Sequence, residues 1–280
     1  MPKQPTQETT APIVIENPWE RLRAFTDARI GLGRAGVSLP TKQLLAFQLA
    51  HAQAQDAVHC PLECEVLADE LTQALGLSTA PLAVHSRAED RAMYLQRPDY
   101  GRRLNEHSRQ ALQQAAEGGQ RFDLAVVIVD GLSALAVQQN SAPFLTALYD
   151  ALGRDKNEWQ LAPLILVEQG RVAIGDEVGA LLNADAVLVM VGERPGLSSP
   201  DSLGLYMTWA PEVGLKDDRR NCISNLRPAG LAYEEAARRL LLLLTEARER
   251  KLSGVKLKDR SEDNVLEGGS GSTRNFLVAD

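Results

Sequence analysis

Three short apolar runs set the terms for everything else in this chain. LAVVIVD at 124–130, APLILVE at 162–168 and AVLVMVG at 186–192 are rich in β-branched residues, and each ends at a polar or glycine position. Such runs do not alternate apolar with polar, so they read as strands buried on both faces, which is the habit of parallel sheets. Helix-length segments at 135–152 and 176–183 separate them. Strand, helix, strand in that rhythm predicts right-handed βαβ crossovers and an α/β fold: a Rossmann-like, doubly wound, mostly parallel sheet. A fourth strand is expected at 205–209. A helix rich in alanine and leucine at 233–251 is expected to cover one face.

The first third of the chain has a different grammar. Asn17 followed by Pro18 offers a cap and a first-turn proline for a helix carrying Leu22, Phe25 and Ile30, ending at the glycines of GLGRAG. A second helix is expected from near Pro40. A third is marked by Leu62, Val66, Leu67, Leu71 and Leu75 and closed by Gly76. The resulting division is a disordered lead-in at 1–16, a helical extension at 17–80, an α/β domain at 81–258 and a flexible tail at 259–280 containing Gly-Gly-Ser-Gly-Ser.

Charge and cysteine content exclude several classes of function. A formal charge of −7 leaves no basic footprint for a nucleic acid backbone. The longest apolar run, 240–244, is far short of the roughly 20 residues that span a bilayer. Three cysteines do not make a disulfide framework, and the N-terminus lacks a basic end followed by an apolar run, so cytoplasm is the expected compartment.

Three motifs suggest chemistry that their context does not support. Gly31-Leu-Gly-Arg-Ala-Gly36 has the spacing of a dinucleotide-binding turn, but a helix enters it where a strand is required. Gly131-Leu-Ser133 follows a strand as a hydrolase nucleophile elbow does, yet the second glycine is absent and all four histidines precede the serine. His51, His59, Cys60 and Cys64 lack the tight paired spacing of a zinc site. No metal site and no catalytic set is assigned to this chain.

Four segments are not explained by packing. These are 94–104 with its three arginines, Gly170-Arg171-Val172 beyond one strand, 191–197 (VGERPGL) beyond the most apolar strand, and 220–225 (RNCISN), read as a polar loop. Two of them follow strands of one sheet, at the carboxyl edge where open α/β folds bind ligands. They are read as a ligand shelf.

At these residues the chain resembles a known family. Asn-Pro-Trp-Glu-Arg-Leu-Arg at 17–23, Gly-Arg-Ala-Gly at 33–36, the 94–104 block, Val-Asp-Gly-Leu-Ser at 129–133, Gly-Arg-Val at 170–172, the 191–197 loop, Cys-Ile-Ser-Asn at 222–225 and Leu-Ser-Gly-Val at 252–255 look, in that order, like the small subunit of ethanolamine ammonia-lyase. The resemblance implies an adenosylcobalamin-dependent conversion of ethanolamine to acetaldehyde and ammonia. It implies a large TIM-barrel partner subunit that holds the substrate, with this chain facing the corrinoid. Cofactor contacts carry over onto Val172, Glu193 and Cys222, and Cys222 is given no redox role. No Asp-x-His-x-x-Gly turn occurs, so the cofactor's benzimidazole is expected to stay on cobalt. The family also implies a cytoplasmic location, in some organisms inside a protein-shelled microcompartment. A non-catalytic assembly or cofactor-binding protein is the alternative reading.

Overall fold

A computed structural model describes residues 14–15, 17–116 and 118–258. The expected lead-in and tail lie essentially outside the described residues. The chain divides into two compact units, residues 1–56 with 196–200 and residues 57–195 with 201–280.

In the first unit, Asn17 caps a 3-10 helix at Pro18–Ala24 by accepting the Trp19 N–H at 3.0 Å. The expected α-helix through Phe25 and Ile30 does not form. The glycines at 31, 33 and 36 all take positive φ in the connector that follows, and Phe25 and Trp19 stay exposed, so no buried stripe holds a longer helix together. Strands β1 (Val14–Ile15) and β2 (Arg34–Ala35) pair antiparallel across this connector. Gly31-to-Gly36 is therefore a turn around a two-residue strand, not a strand-to-helix phosphate loop. Helix α1 (Thr41–His59) begins here, just after Pro40.

The second unit holds the remaining elements. They are α2 (Cys64–Leu75), β3 (Leu82–His85), α3 (Arg91–Gln96), α4 (Glu106–Ala115), β4 (Phe122–Val129), α5 (Ala134–Arg154), β5 (Ile165–Glu168), α6 (Ile174–Leu181), β6 (Ala184–Gly192), β7 (Leu203–Trp209), β8 (Arg220–Leu226) and α7 (Tyr233–Arg250). Six strands form one mixed sheet in the order β3-β5-β4-β6-β7-β8. The first four run parallel, and β7 and β8 add two antiparallel pairs at one side.

Helices cover both faces, which explains the unbroken apolar runs. Leu124, Val126 and Ile128 of β4 pack with Leu188 and Met190 of β6 against α2, α5 and α7. Ala125, Val127 and Val129 face Val187, Val189, and Ile174 and Val178 of α6. Each fully buried Val, Leu or Ile is worth about 1.5–3 kcal/mol relative to exposure. Alternating polarity in β4 would therefore sacrifice one of the two cores.

The segment 220–225, expected as a loop, is the edge strand β8. Its pairing skips: Leu205 faces Ile223 and Leu203 faces Leu226, so an extra residue bulges out of β8. The bulge spaces the inward apolar residues three apart and hides the period of two.

Candidate functional site

Register places one row of residues along the carboxyl edge of the parallel strands. Val129 pairs with Val167 and Val191, and Val191 pairs with Gly204. The loops leaving this row build the site.

Asp130, the first residue beyond β4, is the organising group. Its buried carboxylate accepts the Gly131 N–H at 2.8 Å, the Gln169 N–H at 2.8 Å and the Gly170 N–H at 3.0 Å, and lies 3.7 Å from Arg91. Burial pushes its pKa up to about 6 against the pull of those N–H donors and Arg91. Two turns thus hang from one side chain, and the second carries Arg171 and Val172. Gln169 needs help to hold this turn, since it takes φ +53.

The 94–104 block meets the same turn. The Arg171 N–H donates to the Gly101 carbonyl at 2.7 Å, and a Cβ on Gly101 would sit 2.9 Å from the Arg171 side chain, so only glycine fits there. The Arg171 guanidinium stacks on the Tyr94 ring at 4.0 Å, and that of Arg91 lies 4.6 Å from the same ring. Tyr94 is fully buried, and burial pushes its phenol pKa well above the usual range. Arg103, from the end of the block, goes elsewhere: with the Leu104 N–H and Arg109 it binds Glu177 of α6. Burial alone would raise the Glu177 pKa, but these donors outweigh it and hold the carboxyl at about 2.

Across the cleft, Glu193 leaves the end of β6. Its carboxylate accepts the Ser202 hydroxyl, the Ser224 hydroxyl at 2.6 Å and, weakly, the Asn225 N–H at 3.4 Å. The Glu193 N–H donates to the Ser202 carbonyl at 2.9 Å. Asp201, at the return of this loop, is tied down by Asn140 to its carbonyl at 2.9 Å and by Arg227 to its carboxylate at 3.2 Å; Tyr233 in turn donates to Asn140 at 2.8 Å. The serines that aim Glu193 come from β8 and from the approach to β7.

Between the two sides lies an open cleft of about 380 Å³, lined by Tyr94, Leu132, Arg171, Val172, Glu193, Arg194 and Tyr206 among others. The structure thus brings Val172 and Glu193 to one cavity. Cys222 stands one step aside, paired in register with Tyr206 and in contact with its hydroxyl. Desolvation raises the Cys222 thiol pKa, Tyr206 partly offsets this, and nearby Glu193 adds to it, so the thiol stays protonated near neutral pH. Sequence reading missed Asp130, Tyr206 and Ser202 as contributors, and it marked Tyr94 and Ser224 only as members of the 94–104 and 220–225 segments. Only Asp130 carried a signal, as a lone acid at the end of an apolar strand.

The tempting motifs fall outside this machinery. Ser133 is fully buried and caps α5 by accepting the Ala136 N–H at 3.2 Å, so it presents no nucleophile. Among the described residues no three His, Cys, Asp or Glu side chains are placed to hold a metal ion. The Cys64 pKa is pushed up to about 12 by burial and by Glu168 and Asp130 beside it. No described helix is long and apolar enough to cross a membrane.

The sequence profile of the ethanolamine ammonia-lyase light chain matches residues 16–258. The chain belongs to this family. It is 57% identical over 267 residues to the ethanolamine ammonia-lyase small subunit of Pseudomonas aeruginosa strain UCBPP-PA14, covering 94% of this chain and 95% of that one. The Azotobacter vinelandii small subunit is 55% identical, covering 95% and 97%. That of Ralstonia nicotianae is 54% identical over 273 residues, covering 97% and 98%. The matched range contains the whole six-stranded sheet and every loop of the cleft.

Proposed function

We propose that this chain is the small subunit of an ethanolamine ammonia-lyase, a carbon–nitrogen lyase, and that it works only with a large partner subunit that holds ethanolamine. Its Rossmann-like domain at 81–258, with the helical extension at 17–80, presents the carboxyl-edge cleft to adenosylcobalamin. Val172, Glu193 and Cys222 are the cofactor contacts in this reading. The enzyme works in the cytoplasm, free or inside a microcompartment.

The observation that carries the proposal is the cleft itself. It has a fixed carboxylate on one side and an apolar Val172 beside buried donors on the other, and among the described residues it brings together no nucleophile with a base. At about 380 Å³ it is near the small end of the roughly 300–1,000 Å³ typical of ligand pockets. It therefore accepts an edge of a large cofactor and leaves the remainder to a partner.

The residues fit a corrinoid. Peripheral carboxamides of a corrin offer N–H donors that Glu193 can accept, and Val172 offers apolar contact to the ring edge. Cys222, protonated and backed by Tyr206, supplies a small surface and no redox step. Bound adenosylcobalamin supplies homolysis of its cobalt–carbon bond, which starts the radical chemistry. This chain's task is to bind and orient: Ser202 and Ser224 aim Glu193, and Asp130 holds the turn that carries Val172. With no Asp-x-His-x-x-Gly turn in the sequence, this chain would offer no histidine of that kind to replace the cofactor's own base.

Co-purification with the large subunit and an absorbance titration with adenosylcobalamin tests this. The complex is expected to bind the cofactor and release acetaldehyde from ethanolamine. Val172→Asp and Glu193→Ala should each weaken binding about tenfold or more, the scale of one lost charge-assisted hydrogen bond or one buried charge. A complex that binds no cobalamin overturns the function. One that binds it with both variants unaffected overturns the site.

A further inference from the structure

Helix α1 is built inside out. Its least exposed positions are Gln43, Ala50, Ala54 and Ala57, which share one face and offer little to bury. Its larger residues point the other way: Leu45 and Leu49 are 59% and 61% exposed. A helix ordinarily turns its apolar stripe toward its own core. A 19-residue helix with so little packing beneath it is marginal in water, and among the described residues nothing covers its leucine side.

The pattern of that side says what would cover it. Lys42, Leu45, Leu49, Ala52 and Asp56 follow one another at spacings of three, four, three and four, so they form one stripe along the helix, and all five are exposed. Taken in reverse order, the stripe complements itself. In an antiparallel pair related by a two-fold axis at Leu49, that residue meets its own copy, Leu45 comes opposite Ala52, and Lys42 comes opposite Asp56. Large side chains then face small ones and each charge meets its opposite. Lys42 and Asp56 are the only Lys, Arg, Asp or Glu residues in α1, and among the described residues neither has an ion-pair or side-chain hydrogen-bond partner. A parallel pair would instead set Lys42 against Lys42 and Asp56 against Asp56. Charge therefore selects the antiparallel arrangement.

We infer that α1 is an interface between two copies of this chain, an antiparallel helix pair crossing at Leu49. Such a contact is isologous, so it closes at two and builds no filament. A helix of 19 residues is about 28 Å long, which places the contact at the small end of specific interfaces and makes the dimer a dissociable one.

The test uses the full chain alone and its co-purified complex with a large subunit. Sedimentation velocity of the full chain should show a monomer–dimer equilibrium. Lys42→Glu and Asp56→Lys, which each set like charges at both ends, should weaken it about tenfold or more, and the double variant should recover it because the swap restores both pairs. Leu49→Asp should abolish it with unchanged circular dichroism. Mild oxidation of Leu49→Cys should link two copies in either sample, measured against the unsubstituted chain with its own three cysteines. Leu45→Cys and Ala52→Cys should not link, since like residues would lie about 12 Å and about 9 Å apart along the helices, beyond the roughly 7 Å a disulfide spans. A full chain that stays monomeric, with no Leu49→Cys link in either sample, overturns the interface and leaves the cobalamin reading intact. Links at all three positions mean a parallel pair and overturn the register. Loss of large-subunit co-purification in Leu49→Asp, with no link between small subunits, assigns the surface to the large subunit and also overturns the proposal.

Discussion

Replacing Asp130 tests how the cleft is held open. Asp130→Ala removes the acceptor for three backbone N–H groups at 2.8, 2.8 and 3.0 Å. Gly131 and Gly170 are buried and Gln169 is half-buried, so two donors lose all access to a partner. At about 1–3 kcal/mol for each orphaned donor, the loss is about 2–6 kcal/mol, a large share of the roughly 5–15 kcal/mol that holds a domain together. Asp130→Asn is a different perturbation. Its retained oxygen can serve Gly131 and Gly170, both of which use Oδ1, while the Gln169 N–H and the Arg91 guanidinium, both on the Oδ2 side, meet an amide donor. The charge also disappears. Burial raises the Asp130 pKa from 3.8 to about 6, so the folded state holds its proton more tightly than the unfolded chain does. Stability from this group is therefore highest at acid pH and falls as pH rises from about 4 to about 6, by on the order of 3 kcal/mol. Asparagine has no such slope. Urea unfolding of the full chain, followed by circular dichroism at pH 4 and pH 7, should show the Asn variant gaining on the parent as pH rises, with Ala worse than Asn at pH 7. An Asn–parent difference that does not move with pH, or Ala and Asn equally damaging at pH 7, would refute the reasoning.

Other substitutions probe the scaffold around the cleft. Glu177 has a pKa held down at about 2, so it contributes stability that is complete above the ordinary carboxylate range and lost as pH falls toward 2; Glu177→Gln should flatten the acid limb of a pH–stability curve. Asp176 and Arg220 form a buried two-bond pair at 2.6 and 2.8 Å. Asp176→Ala should cost about 3–5 kcal/mol by stranding the guanidinium, and adding Arg220→Met should recover much of it in a thermal melt. Gly192→Ala should abolish soluble expression, because its Cβ would lie 2.0 Å from the Ser133 carbonyl oxygen and 2.6 Å from that of Asp130. Gly153→Ala, with open space around it inside α5, should instead raise the melting temperature through about 0.5–1 kcal/mol of helix propensity.

The elements that were legible in the sequence are those whose physics is local. Strands β4, β5 and β6 announced themselves because both faces are buried, and α7 because its apolar stripe has helical period. Strand β3 is four residues at the sheet edge and carries too little pattern to read. Strand β8 was hidden by its bulge, which spaces Ile223 and Leu226 as a loop or helix would. At Asn17 the cap was correctly placed, but capping fixes where a helix starts and says nothing of how far it runs. The site divides in the same way. Val172 and Glu193 lie in short motifs directly beyond strands, so position alone marks them. Ser202 and Ser224 act on Glu193 only because β6, β7 and β8 run side by side in one register. Tyr94 meets Arg171 only because residues 77 apart are tied at Gly101.

That division explains why the cleft is so heavily anchored. A binding edge made of loops gains precision only when the loops cannot move, because ordering them on binding costs affinity. Here the turn with Val172 hangs from Asp130, and the loop with Glu193 is fixed at both ends, by β6 at one and by Asp201 with Asn140, Arg227 and Tyr233 at the other. The fixing groups sit on β4, α5, α7 and the end of β8, all rooted in the sheet and its helical covers. The sheet's core and the rim of the cleft are thus mechanically one object: a change in α5 at Asn140 reaches Glu193 through Asp201 and Ser202 without touching the cleft.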